Sequence, residues 1–398
     1  MQLPKKLATS TTNYQLFNFQ LSGDPCYCSP VRSIVYLIGA GPGAPDLITL
    51  RGYHCLRQAD VVIYDHRVHA DVLQYAPPQA ERIDVGGGAT DVSAQDAICF
   101  LLAEKAREGK VVARLKRGDS FLFDHGGEEA LFLHEQGIPF ELVPGVPTAI
   151  GATAYAGIPI TYPGGGDTVT FVRGFEEDGR ERTRLNWDHL AGLGGTIACF
   201  AGPKQLPKMI ESLIAHGRPA DESAAIIVNG TLSSQRTITG TLAEIAESVA
   251  EVPVGAALLI VGRVVNFREH LRWFDARPLF GRRALVMHSK EQPDDVAALL
   301  QRHGAEVLMD TDAGLDVYRQ LLDRKVDVVT FTSASAVLGF LASVGADQAS
   351  DLLAHTVVAT LGPAAADAVA RANVTPAVQL PGGSLAAFAE AIAGHFAP

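Results

Sequence analysis

The sequence has no long hydrophobic run. Its longest apolar stretch, AALLIVG at residues 256–262, is cut short by Arg263; it is far below the ~20 residues a membrane-spanning helix needs and suits a buried strand. Cysteine is scarce, and Cys26, Cys28, Cys55, Cys99 and Cys199 in so long a chain make no disulfide framework. Metal-ligand clusters are missing too. Cys26-Tyr27-Cys28 has no cysteine or histidine pair at a suitable spacing, so no metal is expected, and the pair reads as part of a mobile N-terminal tail. Basic charge is in deficit: 33 Lys and Arg against 44 Asp and Glu leave a net charge of −11. That balance argues against a nucleic-acid partner held by its phosphates, yet it allows a local basic cleft for an anionic small molecule. The first residues, MQLPKKLATSTTNYQLFNFQ, lack the apolar segment and cleavage site of a secretory signal. Together these absences predict a cytosolic protein with neither a membrane nor a nucleic-acid partner.

What is present is core-forming material, 47% apolar and 19% charged, in 398 residues, enough for two or three domains. From residue 34, short β-rich runs alternate with helical stretches, the signature of an α/β protein with parallel sheets. The first series has strands expected at 34–38, 61–64, 111–115 and 140–143, and helices at 46–58, 94–108, 128–136 and 148–156. TYPGGGDT (161–168) reads as a linker. A second series follows, with strands at 168–172, 196–200, 224–228 and 257–261. TLSSQRTITG (231–240) reads as an antiparallel strand, so this sheet is expected to be mixed. DARPLFGRR (275–283) is a basic join, and ALVMHS opens a third series. The expected organisation is an extension at 1–33 and α/β units at 34–160, 161–275 and 281–398.

The first strand runs into a glycine turn, IVYLIGAGPGAPDLITL (34–50). Gly39-Ala40-Gly41-Pro42-Gly43-Ala44 fits the dinucleotide pattern, and Asp65, after VVIY, stands where an acidic residue would meet a ribose hydroxyl. On the loop alone, a nicotinamide oxidoreductase and a tight turn without ligand are equally good readings.

Three further motifs bear on the choice: RLKRGDSFLFDHGGEEA (114–130), VPGVPTAIGATAYAGIPIT (143–161) and IVNGTLSSQRTITGTLAEIA (227–246). With the glycine turn, in this order and at these spacings, residues 34 to about 275 resemble the uroporphyrinogen-III C-methyltransferases of the tetrapyrrole methylase superfamily. The resemblance implies two α/β/α units with a cleft between them that holds S-adenosylmethionine, the methyl donor. It implies donor contacts from Gly39, Gly41, Pro42, Arg117, Gly118, Asp119, Leu122, Pro147, Thr148, Ala201 and Gly230. The donor has no phosphate, so glycine in the turn serves close approach rather than anion binding. It further implies Asp65 as proton acceptor, Glu128 in substrate handling and proton removal, and His125 at a functional position. Its substrate would be uroporphyrinogen III, a small-molecule tetrapyrrole, giving precorrin-2 for siroheme or cobalamin, and its assembly a homodimer.

The chain departs from the family pattern at basic positions. Gly87 stands for a lysine, His125 and Pro163 for arginines, Ala201 for a methionine, and GGD becomes RGD through Arg117. Arginine is the natural bidentate partner of a polycarboxylate. Either Arg67, Lys116, Arg117, His125 and Arg173 take over, or the substrate is less acidic. A catalytically dead tetrapyrrole-binding protein is the third alternative.

VDVVTFTSASAVLGFL (326–341) and VVATLGPAAADAVARANVTPAV (357–378) resemble uroporphyrinogen-III synthase. That enzyme has two lobes, whereas residues 281–398 suffice for about one. The lobe is therefore expected to lack synthase activity. Thr332, Ser333 and Ser335 read as helix capping before they read as a propionate site.

Overall fold

Among the described residues, three five-stranded sheets follow one another along the chain. In a computed structural model, residues 33–86, 92–165, 168–174, 185–202, 205–249, 257–287, 295–310 and 315–397 are described. The expectations for residues 1–32, including Cys26 and Cys28, and for Gly87 lie outside the described residues.

The first sheet comprises β1 (Ile34–Gly39), β2 (Val61–Tyr64), β3 (Glu81–Asp84), β4 (Val111–Lys116) and β5 (Phe140–Val143), in the order β3-β2-β4-β1-β5. Every pairing is parallel. Side chains alternate between faces. Val35, Leu37, Val61, Ile63 and Val112 pack with Leu102 and Leu133 of helices Val92–Arg107 and Gly126–Glu135. Ile38, Val62, Ala113 and Leu115 pack on the other face with Cys55, Leu56 and Val72. Burial on both faces is why these strands read as apolar runs. The helix expected at 46–58 is split: Pro45–Leu47 is a 3₁₀ turn, and helix Leu50–Leu56 begins after Thr49, whose hydroxyl accepts from Gly52 N.

The second sheet comprises β6 (Val169–Arg173), β7 (Thr196–Ala201), β8 (Ser223–Val228), β9 (Arg236–Thr241) and β10 (Ala257–Val261), ordered β6-β7-β10-β8-β9. Only β6–β7 is parallel, so the sheet is mixed, as the TLSSQRTITG segment predicts. Helix Thr148–Tyr155 lays Ala149 and Ala152 against Ala198, Ala225, Ile227, Leu258 and Ile260, fastening the second sheet to the first unit.

The third sheet comprises β11 (Arg283–Val286), β12 (Glu306–Met309), β13 (Val328–Phe331), β14 (Val357–Leu361) and β15 (Val378–Leu380), all parallel, ordered β12-β11-β13-β14-β15. It forms one lobe. Ser333 Oγ accepts from Ala336 N at 3.2 Å and so caps helix Ala334–Val344. The join to this lobe is aromatic. Trp273 donates Nε1–H to Ala154 O at 3.0 Å, Tyr155 meets the Trp273 and Phe274 rings edge-on, and the Arg277 guanidinium lies over both of those rings. Leu279 then enters the core of the third lobe, and its N–H donates to His303 O.

Where the first and second units touch, a Cβ on Gly230 would stand 2.4 Å from that of Ala152. Gly230→Ala should therefore push the second sheet off helix Thr148–Tyr155 and cost about 1–3 kcal/mol. Urea unfolding measures it, and an unchanged midpoint would mean that the contact contributes nothing.

Candidate functional site

Because β1 lies between β4 and β5, the carboxyl ends of three strands converge. No side chain fits where they meet. A Cβ on Gly39 would sit 2.5 Å from Gly145 N and 2.6 Å from Gly118 O, and one on Gly145 would sit 2.2 Å from Gly118 O. Gly41 and Gly118 close the contact as an isolated antiparallel bridge, Gly41 N donating to Gly118 O at 3.2 Å and Gly118 N to Gly41 O at 2.7 Å. Gly118 has φ of 72°, a conformation open chiefly to glycine.

The turn after β1 uses its amides internally. Ala40 N donates to Lys116 O, Gly41 N to Gly118 O, and Ala44 N to Thr231 Oγ1 at 2.9 Å. Pro42 has no N–H to offer and packs on helix Thr148–Tyr155, where a Cβ on Gly151 would meet its ring at 2.5 Å. A pyrophosphate cradle needs free N–H groups at a helix start, and three amides of this turn, those of Ala40, Gly41 and Ala44, are given to protein acceptors. The strand order also differs from the 3-2-1-4-5-6 of the dinucleotide fold.

The opposite wall comes from the second sheet. Asn229 and Thr231 have φ of 50° and 74°, and for β-branched Thr231 that is a genuine outlier. Gln235 holds the turn by accepting from Thr231 N at 2.8 Å. From the first unit, Phe123, at φ 57°, reaches across to meet Phe200 of β7 edge-on at 5.5 Å. Phe121 beside it is 54% exposed. Asp119 is fixed rather than free, accepting from Phe121 N at 2.9 Å and Gly145 N at 3.0 Å. Thr148 Oγ1 faces Gly118, one residue beyond Pro147, the N-cap of its helix.

Beneath this crevice lies a buried charge cluster. Arg114 and Lys116, on the same face of β4, are 0% and 1% exposed. Glu129, also fully buried, takes Arg114 Nε and Lys116 Nζ on one oxygen, each at 3.1 Å, together with Gln95 Nε2 at 3.3 Å. Asp65 pairs with Arg114 Nη2 at 2.5 Å, and Lys116 reaches Asp124 at 2.8 Å. Burial pulls the Arg114 guanidinium down, but Glu129 and Asp65 outweigh it and raise its pKa above the usual arginine range. His125 Nδ1 and Glu128 Oε2 are 2.8 Å apart, with the Glu128 side chain 65% exposed.

The structure thus gathers Gly39, Gly41, Pro42, Gly118, Asp119, Pro147, Thr148 and Gly230 around one crevice, with Arg117 donating Nε–H to Pro42 O at 3.1 Å and Leu122 in the turn after Asp119. Asp65 lies below it in the cluster, and His125 and Glu128 open the helix beside it. Ala201 is different. Its side chain packs in the core on the far face of the second sheet, leaving only its backbone toward the crevice. Sequence reasoning passed over Gly145, Thr231, Arg114 and Glu129. Gly145 was legible as the central residue of VPGVP, whereas pairing Arg114 with Glu129 needed the fold.

The family profile described as Tetrapyrrole (Corrin/Porphyrin) Methylases matches residues 34–246, and that of uroporphyrinogen-III synthase HemD matches residues 274–386. A siroheme synthase of Thiobacillus denitrificans is 43% identical over 270 residues, covering 67% of this chain and 56% of that protein. One from Pseudomonas fluorescens is 47% identical over 243 residues, covering 61% and 52%. The chain spans about half the length of these curated relatives. Among solved structures, a uroporphyrin-III C-methyl transferase from Thermus thermophilus, complexed with S-adenyl homocysteine, is 35% identical with a TM-score of 0.51, covering 58% of this chain and 98% of that one. A cobalt precorrin-4 methyltransferase is 27% identical with a TM-score of 0.54, covering 60% and 98%. The motifs brought together at the ends of β1, β4 and β5 lie within a profile match that covers more than half the chain, and the chain belongs to the tetrapyrrole (corrin/porphyrin) methylases.

Proposed function

We propose that the chain methylates uroporphyrinogen III at carbon, using S-adenosylmethionine, toward precorrin-2 and siroheme. The observation that carries this reading is the meeting of the glycine turn, the Gly118-Asp119 turn, Gly145 and Thr148 at the ends of β1, β4 and β5 with the Gly230–Thr231 turn of the second sheet, which supports a ligand site between the two units. The residues fit such a donor: Asp119 offers a fixed carboxylate edge, Thr148 a hydroxyl, and Gly230–Thr231 a wall from the second sheet.

Bound S-adenosylmethionine would supply an electrophilic methyl group. Methylation of a pyrrole carbon forms a carbon–carbon bond, breaks a carbon–sulfur bond, and releases one proton from the macrocycle. The chain must align the partners, keep water away, and take that proton. Phe121 and Phe123 supply apolar cover at the mouth. Glu128 is exposed and hydrogen-bonded to the half-buried His125, a pairing that suits proton removal. Asp65 is fastened to Arg114, so its carboxylate acts from a fixed position at the crevice floor. The third lobe carries a cavity of about 510 Å³ lined by Asp310, Asp316 and Tyr318 among others.

A second reading, a less acidic substrate, is favoured by the commitment of Lys116 and His125 to carboxylates of this chain. Anaerobic incubation with S-adenosylmethionine and freshly reduced uroporphyrinogen III separates the two. A dimethylated tetrapyrrole and S-adenosylhomocysteine by mass spectrometry are expected; donor binding without tetrapyrrole product would favour the second reading. Glu128→Gln should lower kcat about a hundredfold or more, the scale of a positioned acid–base group, with donor affinity unchanged. An unchanged kcat would remove Glu128 from the mechanism. Asp65→Ala should lower turnover and, unlike Glu128→Gln, also destabilise the fold by about 3–5 kcal/mol, since it strips a buried cation of its partner. Calorimetry on the two variants side by side checks that contrast.

A further inference from the structure

Five cations stand near the crevice in sequence: Arg67, Lys116, Arg117, His125 and Arg173. The structure does not leave them equivalent. Lys116 is 1% exposed and bound to Glu129 and Asp124, so it has neither access nor charge to spare. His125 is held by Glu128. Arg117 behaves otherwise. In β4 the side chains of Arg114 and Lys116 turn to the face of helix Gly126–Glu135, where the carboxylates are. Arg117 follows with the opposite orientation by the two-residue alternation, on the side where Pro42 accepts its Nε–H at 3.1 Å. The remaining N–H groups of its fork have no carboxylate partner among the described residues. Arg67, exposed to solvent, stands in the turn after β2, the strand beside β4, where Tyr64 pairs with Leu115, so the two arginines follow the ends of neighbouring strands. Burial first, and Arg67 second, hold the Arg117 guanidinium below the usual arginine range.

We propose that Arg117 and Arg67 form the carboxylate-receiving site for the tetrapyrrole substrate, taking over the work of the basic positions that Gly87, His125 and Pro163 vacate. This rests on the methylase reading above and deepens it. Two like charges after the ends of neighbouring strands, one of them sheltered, are stabilised when a carboxylate lies between them. The planar fork of arginine takes a carboxylate through two parallel N–H···O bonds. A substrate whose rim carries several acetate and propionate groups supplies such partners at its edge. Arg117 is anchored at Pro42 O, next to the glycine bridge, so a carboxylate seated there would fix one edge of the macrocycle beside the methyl donor.

The test is binding of uroporphyrin III, the oxidised macrocycle that keeps all its carboxylates, to the full chain at fixed ionic strength. S-adenosylhomocysteine is titrated in parallel. The variants are Arg117→Gly, Arg117→Lys, Arg67→Ala and, as a control with the same loss of charge on the third lobe, Arg302→Ala. Arg117→Gly and Arg67→Ala should each weaken uroporphyrin about tenfold, the scale of one lost charge-assisted pair. Because glycine is the residue of the family pattern at position 117, a donor contact there needs only the backbone, and S-adenosylhomocysteine affinity should stay within twofold, which also certifies the fold. Arg117→Lys should recover part of the loss and Arg302→Ala none of it. Coproporphyrin, with half the carboxylates, should lose less than uroporphyrin. Loss of S-adenosylhomocysteine affinity with uroporphyrin unaffected would overturn the proposal and give Arg117 to the donor. Equal uroporphyrin binding by every variant would overturn it outright. Turnover distinguishes the two levels: product formed with an unchanged KM in Arg117→Gly sinks the carboxylate site alone, whereas arginine-dependent uroporphyrin binding without methylated product sinks the methylase substrate and leaves the site standing.

Discussion

Two positive charges lie inside the first unit, and much of its functional end is arranged to neutralise them. Arg114 and Lys116 are sealed from water on the helix-facing side of β4. An unpaired charge there would cost several kcal/mol. Glu129 must therefore point inward from helix Gly126–Glu135, Asp65 must stand at the end of β2, and Asp124 must turn back from the loop before the helix. Those demands set where the loop 119–125 runs and where its helix begins. With Glu129 facing in, Glu128 one residue earlier is directed outward, and His125 three residues before Glu128 lies beside it. The His125–Glu128 pair is thus located by ions that never meet solvent.

The glycine turn obeys a different economy, that of the amide hydrogen. A loop of this composition can present N–H groups to an anion or spend them on its own neighbours. Here Ala40, Gly41 and Ala44 donate to Lys116 O, Gly118 O and Thr231 Oγ1. The same letters therefore build a surface of close approach instead of a phosphate nest. The last of these bonds also ties the turn to the second sheet, so the floor and the far wall of the crevice are connected through one hydroxyl.

Much of this was legible in the sequence. β-branched runs gave most strands of the first sheet, and TLSSQRTITG gave the antiparallel strand of the second. β3 escaped because ERID lies largely exposed at the sheet edge and carries no apolar alternation. Around the site, the motifs picked out Gly118, Asp119, Thr148 and Gly230, which the fold draws together. What motifs could not convey was orientation. Arg114, Lys116 and Arg117 are near neighbours in RLKRGD, yet the pleat sends two into a buried cluster and the third to Pro42. Nor does proximity in sequence say that the Ala201 side chain faces away from the crevice.

Helix Thr148–Tyr155 serves three neighbours at once. Its first residue borders the crevice, its alanines seat the second sheet, and its last turn receives Trp273 from the join to the third lobe. Its buried positions Ala149, Gly151 and Ala152 are small, so added volume there meets Pro42 or the second sheet. Mutational tolerance on the buried side of this short element is accordingly narrow. The modularity of the chain is limited by the same contact: exchanging the third lobe for another would have to keep Trp273, Phe274 and Arg277, because Tyr155 and the Ala154 carbonyl would otherwise lose the partners that cover them.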